Sequence, residues 1–376
     1  MTKQKLNKED RRFFSLIADA IFSNPFSTEY EEVAKRLSDV ANLPPRRSGK
    51  RYHDAVAEVL TLRLEQLAGA GIRSISDVPK SDRQSLEYAF LFHCYNHHNQ
   101  NFDQLIQTQL QHGDDPVPVP FAEHLLQQLA SFGIEQRQAL KYFSLFYQLR
   151  RGFHFIDQAL VGRSPSMKRL RHALWNNVFT NDIRIYGNHL WGKMEDFSTL
   201  LLGETGTGKG AAAAAIGRSG PIPFDPVRGR FKHSFTTTFT ATNLSQFPES
   251  LIESELFGHR KGAFTGAIDN HQGIFERCSK HGTLFLDEIG DVSLPTQLKL
   301  LNVLQERHFT PVGSHKTVRF EGRVVAATNC PLNELRRQGR FREDFYYRLC
   351  SDVIEVPPLR ERIDVESRPI MDAFSH

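Results

Sequence analysis

The sequence is poor in cysteine. Cys94, Cys278, Cys330 and Cys350 are scattered and show no paired spacing. This argues against a disulfide framework and reads as thiols in a reducing cytoplasm. No run approaches the length of a membrane span, and Met1-Thr2-Lys3-Gln4-Lys5 lacks the apolar core of a signal peptide. A cytoplasmic protein with no membrane partner is expected. Charge of either sign is not in excess, with 47 basic against 43 acidic residues and a net charge of +4. Nucleic-acid binding therefore cannot be argued from charge. What remains is ordinary for a globular chain: 376 residues, enough for two domains, 40% hydrophobic and 24% charged. The 29 phenylalanines are many, and several fall at helical spacing.

Up to about Arg151 the pattern is helical throughout. Asn7 can cap a helix bearing Phe13, Phe14, Ile17, Ala20 and Ile21 on one face, ended by Pro25. A second helix starts near Ser27-Thr28-Glu29 and carries Val33, Leu37 and Val40. Residues 44–51 form a basic loop, either a solvated turn or a partner or phosphate contact. Val56, Val59, Leu60, Leu64 and Leu67 mark a third helix stopped by Gly69 and Gly71, and 81–94 a fourth. Residues 113–120 read as an extended linker, and 121–151 as a helix pair broken near Gly133. His93 and His97 share a helical face beside Cys94 and His98, a spacing that suits a metal. No matching ligand pair occurs elsewhere in the region, so surface or capping histidines are expected. The region is all-α and its task is not readable.

The pattern changes after about residue 158. Ser164-Pro165-Ser166 caps a helix through Met167, Leu170, Leu174 and Val178. Strand-like runs at 199–202, 235–242, 282–288, 323–328 and 353–356 then alternate with helical ones, including 251–257 and 295–306. Residues 217–232, rich in Gly, Pro and Arg, read as a surface loop. Alternation of this kind implies a parallel sheet with helices on both faces, which binds ligands at the carboxyl ends of its strands.

At the first of those ends stands Gly203-Glu204-Thr205-Gly206-Thr207-Gly208-Lys209, between an apolar strand and an alanine-rich helix. Such a loop curls so that backbone N–H groups face phosphate oxygens, at a helix N-terminus whose partial charge is positive. Lys209 supplies an ammonium for the outer phosphates. The Ser or Thr that usually follows the lysine is missing, because Gly210 stands there. A hydroxyl ligand for magnesium is thereby lost. Asp287 and Glu288 close an apolar run, as a Walker B element requires. Asp287 would orient Mg2+, directly or through its water, and Glu288 would polarise an attacking water. Asn329 ends the next strand and can bond a water or the γ-phosphate, or serve as a plain turn residue. Arg342 and Arg348 lie six positions apart; either can act as an arginine finger or pair with Glu343 or Asp344.

The most specific stretch is Gly262-Ala263-Phe264-Thr265-Gly266-Ala267, which follows Glu255-Leu256-Phe257-Gly258-His259. It resembles, letter for letter, the GAFTGA loop of bacterial enhancer-binding proteins, the sigma-54-dependent activators of the AAA+ superfamily. Residues 282–288 and 341–349 are similar to that family too, and the likeness runs from about Gly162 to Ile363. The resemblance implies a P-loop AAA+ domain, a three-layer parallel-sheet fold, after an all-α regulatory domain. It implies a hexameric ring that binds ATP and Mg2+ and hydrolyses ATP between subunits. The GAFTGA loop, with Phe264 and Thr265 as contacts, would act on sigma-54 RNA polymerase to open closed promoter complexes. Asn243 resembles the family's switch asparagine sensing Glu288, Asn329 its sensor I, and Arg342 and Arg348 its finger positions. The family usually has Glu after the lysine, so Gly210 is less damaging than the generic motif suggests.

The expected domains are 1–158, helical and regulatory; 159–363, the ATPase; and 364–376, a tail outside the family pattern. Residues 357–363 resemble the start of a helical lid, and no lid or helix-turn-helix follows. The expectation is a truncated activator ATPase with no visible DNA-binding module. The alternatives are a non-hydrolysing protein that binds sigma-54 or ring subunits, and a different AAA+ remodeller.

Overall fold

The computed structural model describes residues 4–43, 50–280 and 282–362, with residues 50–52 described by backbone only. Most of the basic loop at 44–51 and the whole 364–376 tail lie outside the described residues.

Two compact units share the chain. The first holds Met1–Arg150, Phe179–His189 and Ile222–Ser234; the second holds Arg151–Val178, Leu190–Pro221 and Phe235–His376.

The first unit is built from helices α1 (Lys8–Phe22), α2 (Thr28–Val40), α3 (Lys50–Gly69), α4 (Lys80–His97), α5 (Asn99–His112), α6 (Ala122–Ser131) and α7 (Gln136–Phe153), which runs on three residues into the second unit. The local chemistry sets their starts. The Asn7 side chain accepts from Asp10 N, and the Ser27 hydroxyl accepts from Tyr30 N, each satisfying a donor that the first helical turn leaves over. Phe13, Phe14, Ile17, Leu37, Val56, Leu60 and Phe90 meet in one core. Asp82, buried in α4, accepts from Leu6 N and from the Arg11 guanidinium, which ties the N-terminal segment to this core.

Two features depart from the sequence reading. His98 stands at the cap position between α4 and α5, one of the two expected places, but it is not at the surface. It is 3% exposed, its ring lies 5.7 Å from that of Phe121, and burial holds its pKa down at about 4. Among the described residues no group of three His, Cys, Asp or Glu side chains could hold a metal ion. Residues 217–232 are also not a plain surface loop. Their second half forms the strands β2 (Phe224–Asp225) and β3 (Arg230–Phe231), antiparallel and packed into the first unit. Phe231 stacks on Tyr147 at 4.1 Å, Phe224 lies 4.6 Å from Phe143, and Phe224 N donates to Ser144 Oγ. A single turn, α9 (Ile183–Ile185), belongs to the same unit.

The second unit opens on a π-turn, His154–Gln158, and α8 (Pro165–Phe179), whose Ser164 cap accepts from Met167 N. Its sheet is five-stranded and parallel, in the order β4 (Phe239–Asn243), β5 (Thr283–Asp287), β8 (Arg323–Thr328), β1 (Thr199–Leu202), β9 (Asp352–Glu355). A short antiparallel ribbon, β6 (His308–Phe309) with β7 (Val318–Arg319), stands apart. All six residues of β8 are buried, as a central strand covered on both faces requires. Helix α10 (Lys209–Arg218) lies on one face, where Gly217 approaches Phe239 and Thr283 too closely for a side chain. The other face presents Leu284, Leu286, Val324 and Ala326 to α11 (Glu249–Phe257), α12 (Ile274–Arg277), α13 (Leu294–Glu306), α14 (Leu332–Arg337) and α15 (Glu343–Leu349). The result is a three-layer α/β domain. At the foot of the sheet Arg323 donates to Asn177 and Thr199, a buried polar knot that joins β8, β1 and α8. No helix among the described residues is long and apolar enough to cross a membrane.

Candidate functional site

The order β5-β8-β1 places three sequence motifs at one end of the sheet. After β1 the chain enters 203–208, where Gly206 and Gly208 have φ of 79° and 90°. Only glycine takes these left-handed values without strain. Gly203 is needed for space, since a Cβ there would lie 2.8 Å from the Val356 carbonyl oxygen and 3.0 Å from Thr207 Oγ1. Thr207 Oγ1 donates to Glu204 O at 2.8 Å and closes the turn. Lys209, 6% exposed, donates from Nζ to the carbonyls of Gly203 at 2.8 Å and Glu204 at 3.1 Å. The ammonium thus lies folded along the loop. Gly210 leaves room, because a Cβ would meet only Phe285 Cε1 at 3.9 Å.

Strand β5 ends in Asp287, in register with Asn243 of β4. Glu288 follows with φ 56° and ψ 47°, a left-handed backbone unusual for a residue with a side chain. Such a strained position is maintained by its surroundings and clusters at functional sites. Glu288 N donates to Asp287 Oδ1 at 3.1 Å, and Glu288 Oε2 lies 3.4 Å from Asn329 N, a long contact. Asn329 Nδ2 donates to Thr205 Oγ1 at 2.8 Å. The residue after β8 is therefore bonded directly to the phosphate loop. Asn243 lies at the same end, but its side-chain oxygen accepts from Ser245 N and Ser245 Oγ, capping the next turn.

The two arginines differ. Arg348 donates to the Leu304 carbonyl from Nε at 3.0 Å and Nη2 at 2.6 Å, pinning α15 onto α13. Arg342 lies on the surface in a fork with Asp344, at 3.0 and 2.7 Å. Hydrogen bonding to that carboxylate raises the Arg342 pKa.

Loop 262–267 is a turn within a turn. Gly262 N donates to Ala267 O and Ala267 N to Phe264 O, with Gly262 and Gly266 at φ 80° and 101°. Thr265 is exposed, Phe264 is 38% exposed, and its ring stands edge-on to His259 at 4.9 Å. His259 is braced by Ser254 Oγ at 2.6 Å and by a reciprocal backbone pairing with His271. A second segment supports the loop: Arg260 N donates to Val312 O, and Gly313 lies so close to Ala263 that a Cβ would approach it to 2.6 Å.

Sequence reasoning missed this brace, and also the contacts made by Arg360 and Arg362. Arg360 forks onto Glu204 at 2.9 and 2.7 Å, and the hydrogen bonds hold that carboxyl below its usual range. Arg362 donates to the carbonyls of Thr207 and Pro357. Pro357-Pro358 after the last strand was the visible signal, but no spacing pairs residue 360 with residue 204.

Fold and loop together define a P-loop protein of the AAA+ class. More particularly, residues 189–355 match the family described as the Sigma-54 interaction domain. The Nif-specific regulatory protein of Azotobacter vinelandii is 43% identical over 217 residues, 56% of this chain and 35% of that protein. The DNA-binding transcriptional regulator NtrC of Azospirillum brasilense is 43% identical over 205 residues, 54% of this chain and 37% of that one. The chain thus spans little more than a third of the length of these curated relatives. NtrX from Brucella abortus, solved in complex with ADP, aligns at a TM-score of 0.43 and 22% identity, over 68% of this chain and 52% of that one.

Proposed function

We propose that the chain is a sigma-54-dependent transcriptional regulator that binds ATP with Mg2+, hydrolyses it, and drives loop 262–267 against sigma-54 RNA polymerase in a ring of identical subunits. One observation carries the reading: the phosphate loop, the Asp287-Glu288 pair and Asn329 converge at the carboxyl ends of β1, β5 and β8, with Asn329 bonded to Thr205. The match of residues 189–355 to the Sigma-54 interaction domain supports the choice of partner.

The loop N–H groups of 203–208 and the N-terminus of α10 take the phosphates, and Lys209 exchanges its carbonyl partners for the outer ones. Asp287 has the hard oxygen donors that magnesium takes, and one of its oxygens is only lightly engaged by Glu288 N. Gly210 offers no hydroxyl, so Asp287, water and phosphate oxygens are the donors for the ion. Bound magnesium neutralises phosphate charge. Glu288 accepts a proton from the attacking water as its oxygen bonds to the γ-phosphorus and the bond to the leaving ADP breaks. Asn329, joined to Thr205 and beside Glu288, links the loop to that carboxylate. Arg342 is the better placed of the two arginines to reach a neighbouring subunit's ATP, because its partner Asp344 is a surface group, while Arg348 clamps α13. Asn243 and Arg348 keep supporting roles, at the β4 turn and the α13–α15 contact.

Steady-state ATP turnover of the purified chain, with and without sigma-54, tests this. Glu288→Gln is expected to retain ATP binding and lose turnover by about 100-fold or more. Phe264→Ala is expected to leave turnover within about twofold and lose sigma-54 binding, since an exposed loop aromatic contributes little to the fold. Unchanged turnover in Glu288→Gln rules out the mechanism. ATP binding without turnover in the unaltered chain would favour a non-hydrolysing subunit. Turnover without sigma-54 binding would favour a different remodeller.

A further inference from the structure

Among the described residues Arg151 is one of the largest fully buried side chains, at 0% exposure. It donates from Nη1 to Arg218 O at 2.6 Å and from Nη2 to Gly220 O at 2.7 Å. Arg218 is the last residue of α10, and Lys209 is the first. A guanidinium therefore caps one end of the helix whose other end presents the phosphate-binding lysine. The last carbonyls of a helix lack intrahelical partners and carry partial negative charge, so a buried cation there is doubly favourable.

Helix α10 depends on such a grip. It has ten residues, too short to be stable alone even with five alanines, and Gly210 and Gly217 weaken it further. Ser219 Oγ adds a bond to Ala215 O, and the Arg218 guanidinium lies over Phe155 of the π-turn at 5.6 Å. Arg151, Arg218 and Gly220 all belong to the second unit, and the chain enters it at Arg151 and leaves it after Pro221. Upstream of Arg151, α7 continues back to Gln136. Two residues after Gly220, the chain enters the β2–β3 hairpin segment, Ile222–Ser234.

We propose that Arg151 is a positioning residue for the phosphate site. By holding the Arg218 carbonyl that ends α10 and the Gly220 carbonyl just beyond it, this side chain fixes the placement of Lys209. This rests on reading 203–209 as an ATP site. Arg151 touches no substrate; it acts through the helix.

The test uses the full chain with Arg151→Met and Arg151→Lys. ADP affinity is measured by calorimetry, and amide hydrogen exchange is followed across 210–218. Arg151→Met is expected to bind ADP about tenfold more weakly. Its α10 amides should exchange faster, with protection partly regained at saturating ADP. Arg151→Lys, which keeps the charge but loses the fork, should fall between. A folded Arg151→Met with unaltered ADP affinity overturns the proposal, even with a lowered melting temperature, because the guanidinium would then be only a structural cap. If Arg151→Met does not fold, Arg151→Lys carries the same comparison. If the unaltered chain takes up no ADP, the ATP reading fails by itself. Exchange across α10 then still decides the rest: unchanged protection in the variants overturns the role of Arg151, and lost protection supports it.

Discussion

Gly210 and Gly203 sit seven residues apart in one loop and helix, and the structure separates them. The sequence shows Gly210 only as a missing hydroxyl. Its surroundings show open space, with Phe285 Cε1 at 3.9 Å from a built Cβ and no left-handed φ. Gly210→Ala is expected to raise stability by about 0.5–1 kcal/mol, through helix propensity and a less flexible unfolded chain. A higher urea midpoint with an unchanged slope would show it; a lower midpoint would mean that Phe285 cannot accept the contact. Gly203→Ala should do the reverse and weaken ADP binding, because the new methyl lies 2.8 Å from a backbone oxygen. Glu288 makes the converse point about legibility. Its carboxylate at a strand end was readable from the apolar run that precedes it. Its left-handed backbone was not, because nothing in a glutamate's neighbours in sequence announces φ of 56°.

Whole elements were legible where hydrophobic runs were long or caps were explicit. Strands β5 and β8 were legible because each carries an unbroken apolar run, 284–286 and 324–327, and α1 and α2 because Asn7 and Ser27 announce their starts. The β2–β3 hairpin was hidden for the opposite reason. Two-residue strands are too short to show alternation, and the partners of Phe224 and Phe231 lie about eighty residues upstream. The structure turns these two into core aromatics, 6% and 4% exposed. Phe231→Ala is therefore expected to cost about 3–5 kcal/mol, the range for emptying an aromatic core site. Denaturant unfolding followed by circular dichroism would register it as early loss of helix. A cost below about 1 kcal/mol, the scale of a surface change, would show that the hairpin rests loosely on Tyr147. The 262–267 loop sits between these cases. Its letters were legible, while the brace from 312–313 depends on a ribbon some fifty residues away.

At the scale of the whole molecule, the sequence changes character near residue 158, and the chain passes several times between its two compact units. It leaves one unit for the other at Arg150, Val178, His189, Pro221 and Ser234. A protein threaded in this way does not come apart at one linker. A chain beginning at residue 159 would keep the hairpin and lose what covers it. Phe143 and Tyr147 would be gone from Phe224 and Phe231, Ser144 Oγ from Phe224 N, and Val119 N from Gly229 O. Tyr186 would lose Gln148, and α10 would lose Arg151. Two uncovered aromatics with unpaired backbone groups form the kind of apolar patch that drives association. The 159–376 fragment is therefore expected to bind the dye ANS several-fold more strongly than the full chain and to elute as aggregate in size-exclusion chromatography. The same fragment carrying Phe224→Ser and Phe231→Ser should recover part of its solubility, because the patch is then polar. A monodisperse, ANS-dark 159–376 fragment would overturn the argument. It would show that the excursion at 222–234 folds with the α/β sheet, and that the change in sequence character near residue 158 is a physical boundary after all.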